Sequence, residues 1–136
     1  GLDVTIVPNP TYAEGLSTSL QAGIAALPAD VAGAVVCLAD MPGVTAAVID
    51  RLIAAHSSDG VGQIVVPTHD GKRGNPVLWP KRLFAALASI RGDVGARHLI
   101  GEHADVVREV EFADAGVLRD IDTPDALAAL VAPSRD

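Results

Sequence analysis

The residues best placed to do chemistry follow an apolar segment that leads into Asp40. Residues 33–39 predict a short buried strand, and Pro42 then ends the strand ladder because it has no N–H to donate. In an open α/β sheet, ligands bind just beyond the carboxyl ends of the strands. A second acidic segment, Asp120-Ile121-Asp122, lies far along the chain at another predicted strand end. The two segments could therefore meet at one edge of a sheet.

Two carboxylates at one sheet edge suit Mg²⁺, which is commonly held by one or two carboxylates together with substrate phosphates and water. For either aspartate alone, a turn or a helix start is an equally good explanation, since acidic residues are favoured there. Together they favour a site, and we predict that Asp40 and Asp122 are catalytic metal ligands. Asp120 lies on the same side of an extended segment as Asp122, which makes it an alternative second ligand.

Two other segments could contact an anionic substrate. Residues 71–76 combine two cations with glycines that allow close backbone approach, although a hairpin with solvated charges explains them as well. Residues 9–19 place an amide, a glycine and hydroxyls around a helix start, where backbone N–H groups can meet an anion. Ordinary helix capping is the alternative for Ser17 and Thr18. Asp93 and Arg97 are spaced to pair on a helix surface.

Composition excludes several classes of protein. The formal charge of −7 and the absence of a basic run argue against nucleic acid as a partner, and 3% aromatic residues give few stacking platforms. No stretch reaches the ~20 apolar residues of a membrane span. The single cysteine, Cys37, cannot form an internal disulfide and fits a reducing cytoplasm. Zinc-ligand spacing, a serine-hydrolase elbow and the common phosphate-binding glycine motifs are also missing.

Strand and helix patterns alternate along the chain, which predicts an α/β domain with a mostly parallel sheet and helices on both faces. We expect one domain at residues 1–132, followed by a loose tail at residues 133–136. Thr45 is a good N-cap for the helix after Asp40. The expected strands are residues 4–7, 33–39, 64–67, 76–79 and 106–112.

Read in order, these segments resemble the MobA-like nucleotidyltransferases, and within them the molybdenum cofactor cytidylyltransferase branch. The resemblance spans nearly the whole chain and rests on five segments in the family's order. The matching residues are Asn9 with Glu14-Gly15-Leu16-Ser17-Thr18-Ser19-Leu20, then Ala39-Asp40-Met41-Pro42, Arg73-Gly74-Asn75-Pro76-Val77-Leu78, Gly92-Asp93-Val94-Gly95-Ala96-Arg97 and Asp120-Ile121-Asp122-Thr123-Pro124.

The resemblance implies a three-layer, Rossmann-like nucleotidyltransferase fold and a transfer of CMP from CTP to the phosphate of molybdopterin, with release of pyrophosphate. It implies that Mg²⁺ is bound by Asp40 and Asp122. It also implies nucleotide contacts from Gly15, Ser17 and Ser19, and acceptor contacts from Arg73, Gly74 and Asn75. A molybdenum hydroxylase would receive the product. A guanylyltransferase or another NTP transferase of the same family is the alternative.

One departure from the family is large. Its first strand and glycine-rich, basic nucleotide-binding loop have no counterpart here, so we expect an N-terminally truncated domain that is inactive alone. In the family, that strand lies beside the one that ends at Asp40, and its loss would leave an apolar edge and detach residues 4–7. The competing interpretation is a receiver-like, Mg²⁺-binding signalling module with Asp40 as phosphoacceptor, although the early acidic pair of such a module is missing.

Overall fold

The computed structural model describes residues 4–10, 13, 15–38, 40–59, 62–90 and 96–118. Short 3₁₀ turns at Lys81–Leu83, Ala104–Val106 and Ala115–Val117 join its longer elements. Those elements are α1 (Leu16–Ala25), β1 (Gly33–Val36), α2 (Ala46–Asp59), β2 (Ile64–His69), β3 (Lys72–Arg73), β4 (Val77–Pro80), α3 (Phe84–Ala88), α4 (Arg97–Glu102) and β5 (Val107–Glu111).

The five strands of the described residues form one mixed sheet. β4 runs antiparallel to both β1 and β2, and β3 continues the antiparallel pairing along the end of β2. β5 pairs parallel to β2, from Ile64 opposite Val107 to Thr68 opposite Glu111. The α/β class is confirmed, while the expected mostly parallel sheet is mixed because the chain returns directly from β2 through a tight turn. β1, β2 and β5 share one direction, so their carboxyl ends lie at one edge.

The core lies on both faces of the sheet, as the three-layer prediction requires. Alternate side chains of β2 enter different clusters, since successive residues of a strand point to opposite faces. On one face Ile64 and Val66 pack with α1, α3 and α4. On the other face Val65 packs with Leu52 of α2, which is fully buried.

The helix after Asp40 begins as predicted. The Val48 N–H lies 3.1 Å from the Thr45 carbonyl oxygen and 3.4 Å from Thr45 Oγ1, so Thr45 accepts at the first turn of α2. The predicted strand at residues 33–39 is confirmed in its first half, where it forms β1.

The predicted strand at residues 4–7 is wrong. These residues form no strand, and Val4 and Ile6 are 66% and 85% exposed. A strand needs a hydrogen-bonded neighbour, and no other strand among the described residues pairs with this segment. The predicted tail at residues 133–136 lies outside the described residues, and so does Asp93, which leaves its predicted pairing with Arg97 a prediction. Within the described ranges, no helix is both long and apolar enough to cross a membrane.

Candidate active site

Three segments that are distant in sequence meet beyond the strands. They are residues 40–43 after β1, residues 73–75 from the end of β3 towards β4, and residues 115–118 after β5. The Gly43 and Gly116 backbones are so close that a Cβ on Gly43 would lie 2.9 Å from Gly116 Cα. The Asn75 N–H donates to the Val117 carbonyl oxygen at 2.9 Å. Main-chain contacts therefore hold the three segments together.

Asp40 occupies the turn that follows β1, where it is half-buried. The next residue, Met41, is buried, and its carbonyl oxygen accepts from the Val44 N–H at 3.2 Å. This turn precedes the N-terminus of α2. Asp122 and Asp120 lie outside the described residues, so their proximity to Asp40 stays a prediction.

A cavity of about 1070 Å³ lies between β1, β4, α1 and α4. Four predicted site residues line it, and Arg97 is a second arginine in the same lining. Most of the wall is apolar and includes Leu20, Ile24, Val36, Trp79 and Ile100. The four predicted residues are Ser19, Arg73, Gly74 and Asn75, whereas Gly15, Ser17 and Asp40 are not part of the lining.

The start of α1 departs from ordinary capping. Gly15 holds the N-cap position with φ 129°, and among the described residues no side-chain hydrogen bond caps the helix there. Asn9 Nδ2 donates to Thr18 Oγ1 at 3.0 Å and to Ser19 Oγ at 2.8 Å, while Thr18 Oγ1 donates to the Gly15 carbonyl oxygen. Asn9 thus orders the hydroxyls of this segment.

Ser17 is 1% exposed, and its Oγ has no hydrogen-bond partner in the described part of the chain. A buried hydroxyl without a partner is costly, since it has given up its hydrogen bonds to water. Ser17 therefore does not cap the helix in the described structure, although capping was the alternative explanation for this residue.

Arg73 belongs to a β-hairpin, which is the alternative that the sequence offered for residues 71–76. Arg73 Nε lies 3.3 Å from Glu109 Oε2, and both side chains are about half exposed, at 45% and 47%. Gly74 donates its N–H to the Pro67 carbonyl oxygen at 2.8 Å. Glu109 of β5 thus orients the Arg73 side chain, and Arg73 is also one of the residues that line the cavity.

The neighbouring carboxylate, Glu111, anchors the tip of the same hairpin. It accepts from Thr68 Oγ1 at 2.6 Å and from the Asp70 N–H at 2.8 Å. The Thr68 hydrogen bond, followed by that of Asp70, holds the pKa of Glu111 below its usual range. Neither Glu111 nor Arg97 is among the predicted site residues. The register of β2 with β5 positions Glu111, and this pairing cannot be read from local sequence.

Comparison with known proteins identifies the family of this chain. The family model for the MobA-like NTP transferase domain matches residues 1–106. The chain is 32% identical over 125 residues to molybdenum cofactor cytidylyltransferase of Escherichia coli K12, a match that covers 90% of this chain and 60% of that protein. It is 28% identical over 131 residues to nicotine blue oxidoreductase of Paenarthrobacter nicotinovorans, with 93% and 64% covered.

Comparison with solved structures finds similar folds. The crystal structure of Rv0371c from Mycobacterium tuberculosis matches with a TM-score of 0.75 at 27% identity and covers 87% of this chain and 60% of its own. The complex of Rv0371c with manganese matches with a TM-score of 0.71 at 28% identity, with 82% and 59% covered. This chain belongs to the MobA-like NTP transferase family. It spans about 60% of the length of the first relatives it matches.

Proposed function

We propose that the protein is a Mg²⁺-dependent nucleotidyltransferase that transfers CMP from CTP to the phosphate of molybdopterin and releases pyrophosphate. The observation that carries this proposal is the convergence of the Asp40 turn, the Arg73–Asn75 segment and the 115–118 turn, next to a large cavity. The 32% identity to a molybdenum cofactor cytidylyltransferase supports the choice of nucleotide and acceptor.

Asp40 and Asp122 would hold the metal, which neutralises charge on the phosphate oxygens when it is bound. Carboxylate oxygens are the ligands that Mg²⁺ prefers, and Asp40 projects from a turn at the carboxyl edge of the sheet. Asp122 lies four positions beyond Leu118, a span of at most ~14 Å for an extended chain. Leu118 follows the turn that packs against Gly43, so this span is compatible with both carboxylates reaching one ion. The relative Rv0371c has been crystallised with manganese.

The chain's own residues would position the two substrates. Gly15, Ser17 and Ser19 at the start of α1 would contact the nucleotide, where the buried Ser17 hydroxyl offers a donor. Arg73, Gly74 and Asn75 would contact the acceptor across the cavity. An acceptor phosphate oxygen forms a bond to the α-phosphorus of CTP, while the bond from that phosphorus to the bridging oxygen breaks. Holding both groups in line supplies most of the catalysis in such a transfer.

The direct test is calorimetric titration of CTP and GTP, each with Mg²⁺, into the intact protein. Asp40→Asn should weaken Mg²⁺-dependent CTP binding by about tenfold or more, because one charged ligand is lost. Asp50→Asn is the matched control, because Asp50 is an exposed carboxylate within α2.

Preferential binding of GTP would overturn the choice of base and indicate the guanylyltransferase alternative. If neither nucleotide binds, the transferase proposal is wrong. Acetyl phosphate labelling of Asp40 would then test the receiver-like alternative. A positive result for CTP would justify a search for the molybdenum hydroxylase that accepts the product.

A further inference from the structure

A second group of metal-binding side chains lies at the ends of β2 and β5. His69 is the last residue of β2, Asp70 begins the turn after it, and Glu111 ends β5. The parallel register of Thr68 opposite Glu111 brings these ends together. One potential ligand atom from each of His69, Asp70 and Glu111 lies within 4.8 Å of the other two.

The orientation of the imidazole shows which nitrogen faces the carboxylates. His69 Nδ1 lies 2.9 Å from the Phe112 carbonyl oxygen. A carbonyl oxygen can only accept, so Nδ1 carries the hydrogen, and the neutral ring has its lone pair on Nε2. Histidine ligands of metals are commonly held in this way, with the other ring nitrogen bonded to a carbonyl.

The lone pair of Nε2 is directed at a negative charge. His69 Nε2 lies 3.3 Å from Asp70 Oδ2, so two acceptors face each other in the neutral tautomer. Such a pair is repulsive unless a proton or a metal cation lies between the two atoms. The 3.3 Å separation is close to the spacing of two adjacent ligands about 2.1 Å from one cation.

Backbone conformation and hydrogen bonds position the two carboxylates. Asp70 has φ 51°, in the left-handed region that Asp tolerates better than most residues, and its side chain is 84% exposed. Glu111 is anchored by the Thr68 hydroxyl and the Asp70 N–H. Each carboxylate oxygen can accept more than one bond, so these hydrogen bonds leave Glu111 able to bind a cation.

We propose that His69, Asp70 and Glu111 bind one divalent transition-metal ion, such as Zn²⁺ or Co²⁺. One imidazole nitrogen and two carboxylates suit these metals better than Mg²⁺, which prefers an all-oxygen environment. The proposal shares no residue with the Asp40 and Asp122 pair and does not depend on the proposed function. The ion would join the β2–β3 hairpin, which carries Arg73, to the end of β5.

The test is calorimetric titration of Zn²⁺ into the intact protein and its variants. The wild-type protein should bind one ion at this site, and Asp70→Asn should weaken that binding by about tenfold or more. Asn also tolerates the left-handed region, and the Asp70 main-chain N–H is retained, so this variant should fold. His69→Gln should have the same effect.

Two controls distinguish this site from others. His98 and Glu102 form an exposed pair on α4, with Nε2 and Oε1 2.9 Å apart, and His98→Gln should leave the strong binding unchanged. Asp40→Asn should also leave it unchanged. With Co²⁺, the paramagnetic shift of an imidazole signal in the NMR spectrum should disappear in His69→Gln and persist in His98→Gln. Undiminished Zn²⁺ binding by both Asp70→Asn and His69→Gln, or its loss in His98→Gln, would overturn the proposal.

Discussion

Replacing Gly74 with alanine should destabilise the protein through contacts with the backbone. The added Cβ would lie 2.0 Å from the Val117 carbonyl oxygen and 2.7 Å from the Val117 carbonyl carbon. Neither atom belongs to a flexible side chain, so the Gly74 segment and the 115–118 turn must separate. The shift would also weaken the 2.9 Å hydrogen bond from the Asn75 N–H to Val117.

The magnitude follows from these two effects. Overpacking costs about 1–3 kcal/mol, and a lost hydrogen bond costs about 0.5–1.5 kcal/mol. We therefore expect Gly74→Ala to lower the free energy of unfolding by about 2–4 kcal/mol. This effect is large for a single domain, whose total stability is about 5–15 kcal/mol.

Urea denaturation can measure this change with an intrinsic probe. The only tryptophan, Trp79, is 1% exposed, so its fluorescence should report loss of the core. Gly23→Ala in α1 is the matched control, because its Cβ would meet nothing within 4 Å. That change should be neutral or stabilise the protein by up to about 1 kcal/mol, since alanine is a better helix former. Equal urea midpoints for Gly74→Ala and the wild-type protein would refute the reasoning.

Three further predictions concern the core, the hairpin anchor and the cysteine. Leu52→Ala should lower the free energy of unfolding by about 2–5 kcal/mol because it leaves a cavity in a fully buried position. Ile53 is 44% exposed, so Ile53→Ala should lower the free energy of unfolding by clearly less than Leu52→Ala does in the same urea titration. Because the folded pKa of Glu111 is lowered, its contribution to stability is present above its unfolded pKa and is lost as pH falls through the folded value. The difference in urea midpoint between wild type and Glu111→Gln should therefore shrink from pH 7 to pH 3, and a constant difference would contradict this. Partial burial raises the pKa of the Cys37 thiol, so iodoacetamide should label it more slowly than free cysteine at pH 7.5. Mass spectrometry over time would measure both labelling rates, and equal rates for Cys37 and free cysteine would contradict the prediction.

Local sequence predicted much of the secondary structure. The Thr45 cap and the strands at β2 and β4 follow from periodicity and from residues with strong positional preferences. These signals depend only on residues that are a few positions apart, so they can be read from a single sequence. The same reasoning failed at residues 4–7, because a β-branched run becomes a strand only when another strand pairs with it.

The segments of the candidate site could be recognised in the sequence, but their contacts could not. The glycine at position 74 indicates a turn in either a hairpin or a binding loop. Only the folded chain shows that its backbone lies against Val117. Likewise, nothing near Arg73 in sequence predicts its ion pair with Glu109. Both contacts depend on the pairing of β5 with β2, a long-range register that is specified by the whole core.

The sequence by itself determined the α/β class, the family, and the residue types that could bind phosphate and metal. The tertiary structure decided which of them lie together: Ser19 with Arg73 and Asn75 along one cavity, and His69 with Asp70 and Glu111 at one end of the sheet. The physical reason is that residue chemistry and local propensity are properties of short segments. Proximity between distant segments arises only when the two faces of the sheet are buried and the strand order is established.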